Sequence, residues 1–266
     1  MTNDVERVEL QALLGWYETA AAARLPEYDW RLVEIGDALC SVSSTEQSIL
    51  VNRVLGLGSK AAPTLEQLTE IRELYREAGV SRFFLHAVPE IVGPNREELL
   101  TAAGYRRHRG WMKFTRGPGK ARKPRTDLTV RPIEPEEASD FASIVAPAFD
   151  MSPACEPALV TLVEDPHWHL FMSFAGERPA GTGALYMRDG IGYLDWASTH
   201  PDFRRRGGQS AILSARLHYA FDAGCKTIVT MTGEAVPEDP QHSYRNILRA
   251  GFSETYLREN WVPADS

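Results

Sequence analysis

The sequence predicts an α/β (mixed α+β) fold, with strands and helices alternating around central sheets. Three observations predict it. Short β-branched or aromatic runs bounded by Gly, Pro or Asp recur along the chain. Between them lie stretches with apolar residues at helical spacing. One order of elements also occurs twice. It runs strand, helix 63–78, strand 82–87, helix 96–103, strand to Trp111, and again strand, helix 207–223, strand 226–232, helix 243–250, strand to Trp261. The corner Leu100-x-x-Ala103-Gly104-Tyr105 is echoed by Leu248-x-Ala250-Gly251-Phe252, so two copies of one fold are expected.

In order, 5–22 reads as a helix with Val5, Val8, Leu13, Trp16 and Ala20 on one stripe. Segments 31–35 and 39–42 are strands around Gly36-Asp37, and 49–58 is a third. Pro63 opens a helix, with Thr64 and Gln67 spaced as a capping box and Leu65, Leu68, Ile71, Tyr75 and Ala78 as its buried stripe. Strand 82–87, helix 96–103 and strand 105–114 complete the first half. Residues 117–127, rich in Gly, Pro, Lys and Arg, read as a linker between domains 1–116 and 128–266. Its cations (Lys120, Arg122, Lys123, Arg125) suit a solvated tether. The second half runs strand 128–132, a helix from Glu134 that Pro147 should end, helix 157–163, and hairpin 168–174/181–187. It then continues as strand 192–199, helix 207–223, strand 226–232, helix 243–250 and strand 253–261.

Length and composition set limits. The 266 residues, 43% hydrophobic, suffice for two ordinary domains. A formal net charge of -7 argues against nucleic acid as partner and suits an amine substrate. Cys40, Cys155 and Cys225 are odd in number and widely spaced, which suggests neither disulfides nor zinc and points to a reducing cytoplasm. No apolar run is long enough to span a bilayer and no signal peptide is evident, so no membrane partner is expected.

The chemistry gathers at Pro201-Asp202-Phe203-Arg204-Arg205-Arg206-Gly207-Gly208-Gln209-Ser210. A strand precedes this loop and a helix follows it. Helix N-termini offer unpaired N–H groups and a positive dipole end. Glycines let the backbone curl around an anion, and three arginines add charge, which makes a phosphate cradle. The equivalent loop of the first half, Gly56-Leu57-Gly58-Ser59-Lys60-Ala61-Ala62, has no Arg-x-x-Gly. Only the second half is therefore expected to bind the anion, with the first half structural or shaping the substrate cleft.

Arg204-x-x-Gly207, led in by Thr199-His200-Pro201, resembles the acyl-CoA signature of the GNAT acyltransferase superfamily, Gln/Arg-x-x-Gly-x-Gly/Ala. Gln209 stands where that pattern has Gly or Ala. The resemblance covers 128–261. It implies two GNAT-like domains, each with a central mixed, splayed sheet flanked by helices, the first one degenerate. It further implies acyl transfer, from acetyl-CoA, to an amine acceptor in a ternary complex. Backbone groups of Ala197, Ser198 and Thr199 would run beside the pantetheine. The N–H groups of Arg206, Gly207, Gly208, Gln209 and Ser210 would hold the pyrophosphate, and the side chains of Arg204, Arg205 and Arg206 would reach outer phosphates. Ser243 would bond pantetheine or cap its helix, and Asn246 would bond pantetheine.

Residue roles in the chemistry stay open at this point. The family's tyrosine acid falls at Ile247, and Tyr244, one turn earlier, is either its substitute or a core aromatic. Asp195, in an apolar strand, is either a base with a raised pKa or a solvent-facing carboxylate. Plain alternation puts Tyr193, Asp195, Ala197 and Thr199 on one face. His167 and His169 share the face opposite Trp168, and His200 adjoins the cradle. No metal is assigned. Phe149-Asp150-Met151 would shape the acceptor cleft, and the protein would be a monomer or homodimer. The rival readings are a non-catalytic acyl-CoA sensor and a nucleic-acid module built on the three arginines.

Overall fold

The computed structural model describes residues 2–25, 28–120, 124–237 and 241–266. The first half contains α1 (Thr2–Ala22), β1 (Arg31–Ile35), β2 (Ala38–Val42), β3 (Arg53–Leu55), α2 (Leu65–Glu77), β4 (Phe84–Ala87), α3 (Pro89–Val92), α4 (Arg96–Ala102) and β5 (Tyr105–Arg116). The second contains β6 (Thr129–Pro132), α5 (Ala138–Ala148), α6 (Glu156–Val160), β7 (Trp168–Ala175), β8 (Arg178–Arg188), β9 (Ile191–Thr199), α7 (Gly208–Asp222), β10 (Thr227–Gly233), α8 (His242–Arg249) and β11 (Ser253–Pro263).

Among the described residues the strands form one mixed sheet, ordered β1-β2-β3-β4-β11-β5-β10-β9-β8-β7-β6. The expected repeat is visible in this order. Strands β1 to β4 correspond to β7 to β10, and β5 corresponds to β11. The last strand of each half is seated in the other half. β11 lies antiparallel between β4 and β5, and β5 lies antiparallel between β11 and β10. Segment 117–127 thus separates two stretches of chain without dividing the sheet. The Arg122 and Lys123 of its charge run lie outside the described residues. Residues 1–116 expressed alone are expected not to fold, because β4 would expose an unpaired edge and β5 would lose both its neighbours, β11 and β10. Dispersed amide signals and a cooperative melt from that fragment would contradict this.

Each half also opens at a short parallel pair. β3 and β4 pair only at Arg53↔Phe84 and Val54↔Leu85. β9 and β10 pair from Ile191↔Thr227 to Tyr193↔Val229 and then part.

The predicted α1 stripe is buried, but against the other half. Val5, Val8, Leu13 and Trp16 share a core with Phe141, Leu159, Trp168 and Trp196. Between these halves Glu9 is fully buried and meets three cations. Arg53 of β3 donates to it at 2.9 Å, Arg258 of β11 donates through both terminal nitrogens at 2.6 and 3.1 Å, and Lys113 of β5 also donates. Burial would raise the Glu9 pKa, but Arg258, Lys113 and Arg53 together hold it well below the usual carboxylate range.

Four local expectations are corrected. Only 53–55 of segment 49–58 is strand. The chain turns just before it, where the N–H groups of Val51 and Asn52 both bond the Ser48 carbonyl. Pro147 does not end α5 before Ala148. It sits in the last turn, and the Phe149 N–H still reaches the Val145 carbonyl at 3.2 Å. Leu65 is 49% exposed, since the first turn of α2 overhangs the core. Thr64 caps α2 by accepting from the Gln67 N–H, but no reciprocal box forms. The Gln67 amide instead donates to the Ile35 carbonyl and to Asp37.

Candidate active site

β9 leads through a short 3-10 turn, Pro201–Phe203, into the arginine loop and α7. Arg205 (φ 64°) and Gly207 (φ 78°) are both left-handed, which curls the chain just before the helix. Gly208, Gln209 and Ser210 form the first turn of α7, so their N–H groups have no acceptor within the helix. Gly207 is required for a second reason, because a Cβ there would lie 2.2 Å from the Arg125 carbonyl oxygen. The linker therefore forms part of the cradle wall. Asp127 in the same segment pairs with Arg206, whose Nε donates at 3.1 Å. Arg204 and Arg205 are exposed. Arg178 and Arg206 stand over the Phe203 ring at 4.9 and 5.5 Å. Gln209 turns its side chain back and donates to the Ser198 carbonyl, tying the helix start to β9. None of Arg125, Asp127 or Arg178 was singled out from the sequence as a cradle residue. The acid at Asp127, two residues past Arg125 in a basic run, is a faint signal of that role.

Beside the cradle, β9 carries a bulge. Ala184 pairs with Asp195 and Thr182 with Ser198, so Trp196 and Ala197 together face Gly183. Trp196 is left-handed at φ 51°. The bulge overturns the plain alternation expected for this strand. Tyr193 and Trp196 enter the same core, on the α1 side. Asp195 joins them there, with the Tyr193 hydroxyl donating to Oδ2 at 2.9 Å and the Trp196 N–H to Oδ1 at 2.8 Å. Ala197 is exposed, without a β8 partner, where β10 has already diverged. Ser198 is held instead by Thr182 Oγ1 (2.7 Å) and the Ile144 carbonyl (3.3 Å). Thr199 pairs with Gly181.

Burial raises the Asp195 carboxyl above its usual range, although Arg53 opposes this. Tyr244 lies on the other face of the sheet, in the core under α7 and α8 with Leu194 and Phe114. Its hydroxyl donates to Glu254 Oε1 at 2.7 Å. Burial first, and then Glu254, push its pKa up to about 12. The sheet opening therefore has Asp195 toward one face and Tyr244 toward the other. Ser243 is not the cap of α8. Gln241 holds that place, and Ser243 is exposed in the first turn. Asn246 is half-buried, with Oδ1 at 3.5 Å from Arg249 Nη1.

The remaining candidates have local partners. His167 meets the Met187 carbonyl, His169 meets the Tyr219 hydroxyl, and His200 accepts from the Asp202 N–H. Among the described residues no group of three His, Cys, Asp or Glu could hold a metal. Segment 149–151 packs by the Phe149 ring on Trp196, 5.4 Å apart. The first half reaches it, since Ser48 donates to the Phe149 carbonyl and Glu46 accepts from Ser152.

The matching loop of the first half, which follows β3 as the arginine loop follows β9, already holds an anion. Asp37, in the β1–β2 turn, accepts from the N–H groups of Lys60 (2.9 Å) and Ala61 (3.5 Å). Burial would raise its pKa, but these bonds and that of Gln67 lower it. Glu177, at the same place in the β7–β8 turn, is exposed.

Comparison with known proteins agrees with this geometry. Residues 136–252 match the model of the Acetyltransferase (GNAT) family. No curated protein matches the sequence. A GCN5-related N-acetyltransferase from Kribbella flavida superposes over 97% of this chain and 95% of its own, with a TM-score of 0.65 and 15% identity. A Drosophila protein gives 0.61 over 98% and 91% at 14% identity. A tandem GNAT protein from the clavulanic acid biosynthesis pathway gives 0.55 over 98% and 94% at 13%. At such identities these likenesses speak for the fold, and they do so over nearly the full length. Residues 136–252 thus match the domain of the GNAT acetyltransferase family, and nearly the whole chain has the fold of these solved structures.

Proposed function

We propose that the chain transfers an acyl group, acetyl in the first instance, from acyl-CoA to an amine of a small molecule or protein. Attack is direct, within a ternary complex. One observation carries this reading: a helix N-terminus flanked by arginines opens beside two parallel strands that part just before a bulge. The N–H groups of 206–210 would receive the pyrophosphate, and Arg204 and Arg205 the outer phosphates. The edge of β9 at Ala197–Thr199 would pair with the pantetheine, and the Ala197 N–H, in the bulge, would face the thioester oxygen. Ser243 and Asn246 would line the pantetheine path from α8. Residues 128–266 act as the catalytic domain, and 1–116 as a degenerate copy that walls the acceptor side through Ser48 and Glu46. Asp37 fills the position of a second cofactor phosphate, so one acyl-CoA binds per chain. No described helix is long and apolar enough to cross a membrane, and a cytoplasmic monomer or homodimer is the setting that suits the reading.

Asp195, its pKa raised, would take the proton of the attacking ammonium. Tyr244 would serve the departing sulfur by turning its one hydroxyl hydrogen from Glu254 toward the thiolate. A hydroxyl raised to about 12 transfers its proton uphill to a thiolate whose ordinary value is about 8.5. Tyr244→Phe is expected to lower kcat in thiol release by about tenfold to a hundredfold, with acetyl-CoA affinity unchanged. An unchanged rate would remove Tyr244 from the chemistry.

The engagement of Tyr244 with Glu254 also favours a second reading, a non-catalytic acyl-CoA sensor. Single-turnover reactions with a broad amine panel separate the two. Tight CoA binding without transfer to any amine would leave the sensor.

A further inference from the structure

Arg216 stands out as a buried cation without an acid. It lies in the middle of α7, 2% exposed. Its Nη1 donates to two main-chain carbonyls, Ala184 at 2.7 Å and Asp195 at 3.1 Å. Its Nε has no partner. Among the described residues no carboxylate pairs with it, and Asp195 acts on it only through space. Burial lowers its pKa to about 10, so it stays charged at neutral pH. An unpaired buried guanidinium is costly, and packing alone would favour Leu or Met here.

Its place explains the cost. Ala184 and Asp195 are the last register pair before the bulge. Opposite the bulge is Gly183, where a Cβ would lie 2.7 Å from Arg216 Cζ and 2.6 Å from Ile212 Cγ2. The absent side chain makes room for the guanidinium. The peptide joining Asp195 to Trp196 is thus held at both ends. Its oxygen accepts from Arg216 on the α7 side, and its N–H donates to the Asp195 carboxylate on the α1 side. Trp196 sits left-handed immediately after it. Fixing that peptide fixes the direction of the next N–H, that of Ala197, at the point where β10 departs.

We infer that Arg216 is a positioning residue for acyl transfer: it clamps the 195–196 peptide so that the Ala197 N–H meets the thioester oxygen. The clamp also polarises the 195–196 peptide, which strengthens the bond from its N–H to the Asp195 carboxylate. Arg216 lies eight residues beyond the start of α7, or about 12 Å along the axis. Its loss should therefore spare the cradle. This inference rests on the proposed acyl transfer, and its test keeps the two apart.

Three measurements on the full chain suffice, made on wild type, Arg216→Met and Arg216→Lys. They are amide exchange over 194–199, CoA affinity by calorimetry, and thiol release from acetyl-CoA with an amine panel. In Arg216→Met, exchange over 194–199 should rise about tenfold or more as the local opening cost falls. CoA affinity should hold, and kcat should fall about tenfold to a hundredfold with little change in KM, as for a misaligned reacting group. Arg216→Lys, which can still donate to one carbonyl, should recover part of kcat. Unchanged exchange and kcat in Arg216→Met would overturn the inference. So would losses that Lys does not recover and that CoA affinity shares, which mark general packing damage. If wild type binds CoA but acylates nothing, the enzyme reading fails, and the exchange measurement alone decides whether the clamp exists.

Discussion

Replacing Glu9 with Gln is expected to destabilise the protein by about 3–5 kcal/mol, the cost of breaking a buried ionic group by removing one partner. Glu9 is a single carboxylate holding Arg53, Lys113 and Arg258, all buried. These cations come from three strands, two of which are the exchanged β5 and β11. Glutamine keeps the shape of the side chain but leaves three cations around a neutral amide, with only Glu6 left to face Lys113 and Arg258. At about 2–4 °C per kcal/mol for a chain of this size, the melting midpoint should fall by about 6–20 °C. Arg7→Gln is the control. Its pairs with Asp4 and Asp189 are exposed on both sides, and the expected cost is below about 1 kcal/mol. The pH dependence has a definite sign. Because the folded pKa of Glu9 is depressed, its stabilisation is full above the unfolded value of about 4.3 and is lost as pH falls through the folded value. Wild type should therefore weaken in acid more than Glu9→Gln does. Equal midpoints for the two at neutral pH would show that the cluster is not what binds α1 to the sheet.

The second large effect concerns Gly207. Gly207→Glu would block the cradle by bulk and negative charge, but it would also disturb the turn itself. At φ 78°, with the Arg125 carbonyl 2.2 Å from any Cβ, even alanine is strained and must push the linker away. Gly207→Ala is therefore the cleaner variant, with a cost of about 1–2 kcal/mol for a left-handed non-glycine residue. It should raise the Kd for CoA at least about a hundredfold, since the N–H groups that converge on the anion diverge once the turn opens. Calorimetry showing unchanged affinity in folded Gly207→Ala would overturn the cofactor assignment.

The cradle was legible because its physics is local. A glycine and arginine loop between a strand and a helix must present N–H groups and positive charge at the helix mouth, wherever the rest of the chain goes. The same holds for the α1 stripe, whose spacing shows that it is buried but not against what. Tyr244 and Asp195 were named from position in the motif and from an apolar neighbourhood. Their burial was foreseeable, but the Tyr244–Glu254 bond depends on a strand ten residues later returning beside α8. That Trp196 rather than Ala197 continues the face of Tyr193 and Asp195 was not legible, because a bulge is one extra residue on one strand, visible only once the partner strand is paired. The roles of Asp127, Arg178 and Arg216 depend on contacts between residues 21 to 79 apart in the chain, and no spacing rule reaches that far.

Residue order along the chain settled the element types, the doubled arrangement, and which half carries the arginine and glycine loop, because each follows from short-range periodicity and backbone geometry. The exchange of β5 and β11, the burial of Glu9 among three cations, Asp37 folded into the first half's loop, and the clamp at Trp196 came from three-dimensional pairing. Each joins groups that meet only after the strands have chosen their neighbours. That choice minimises unpaired edges and uncompensated charge over the whole sheet at once, so no segment of the sequence carries it alone.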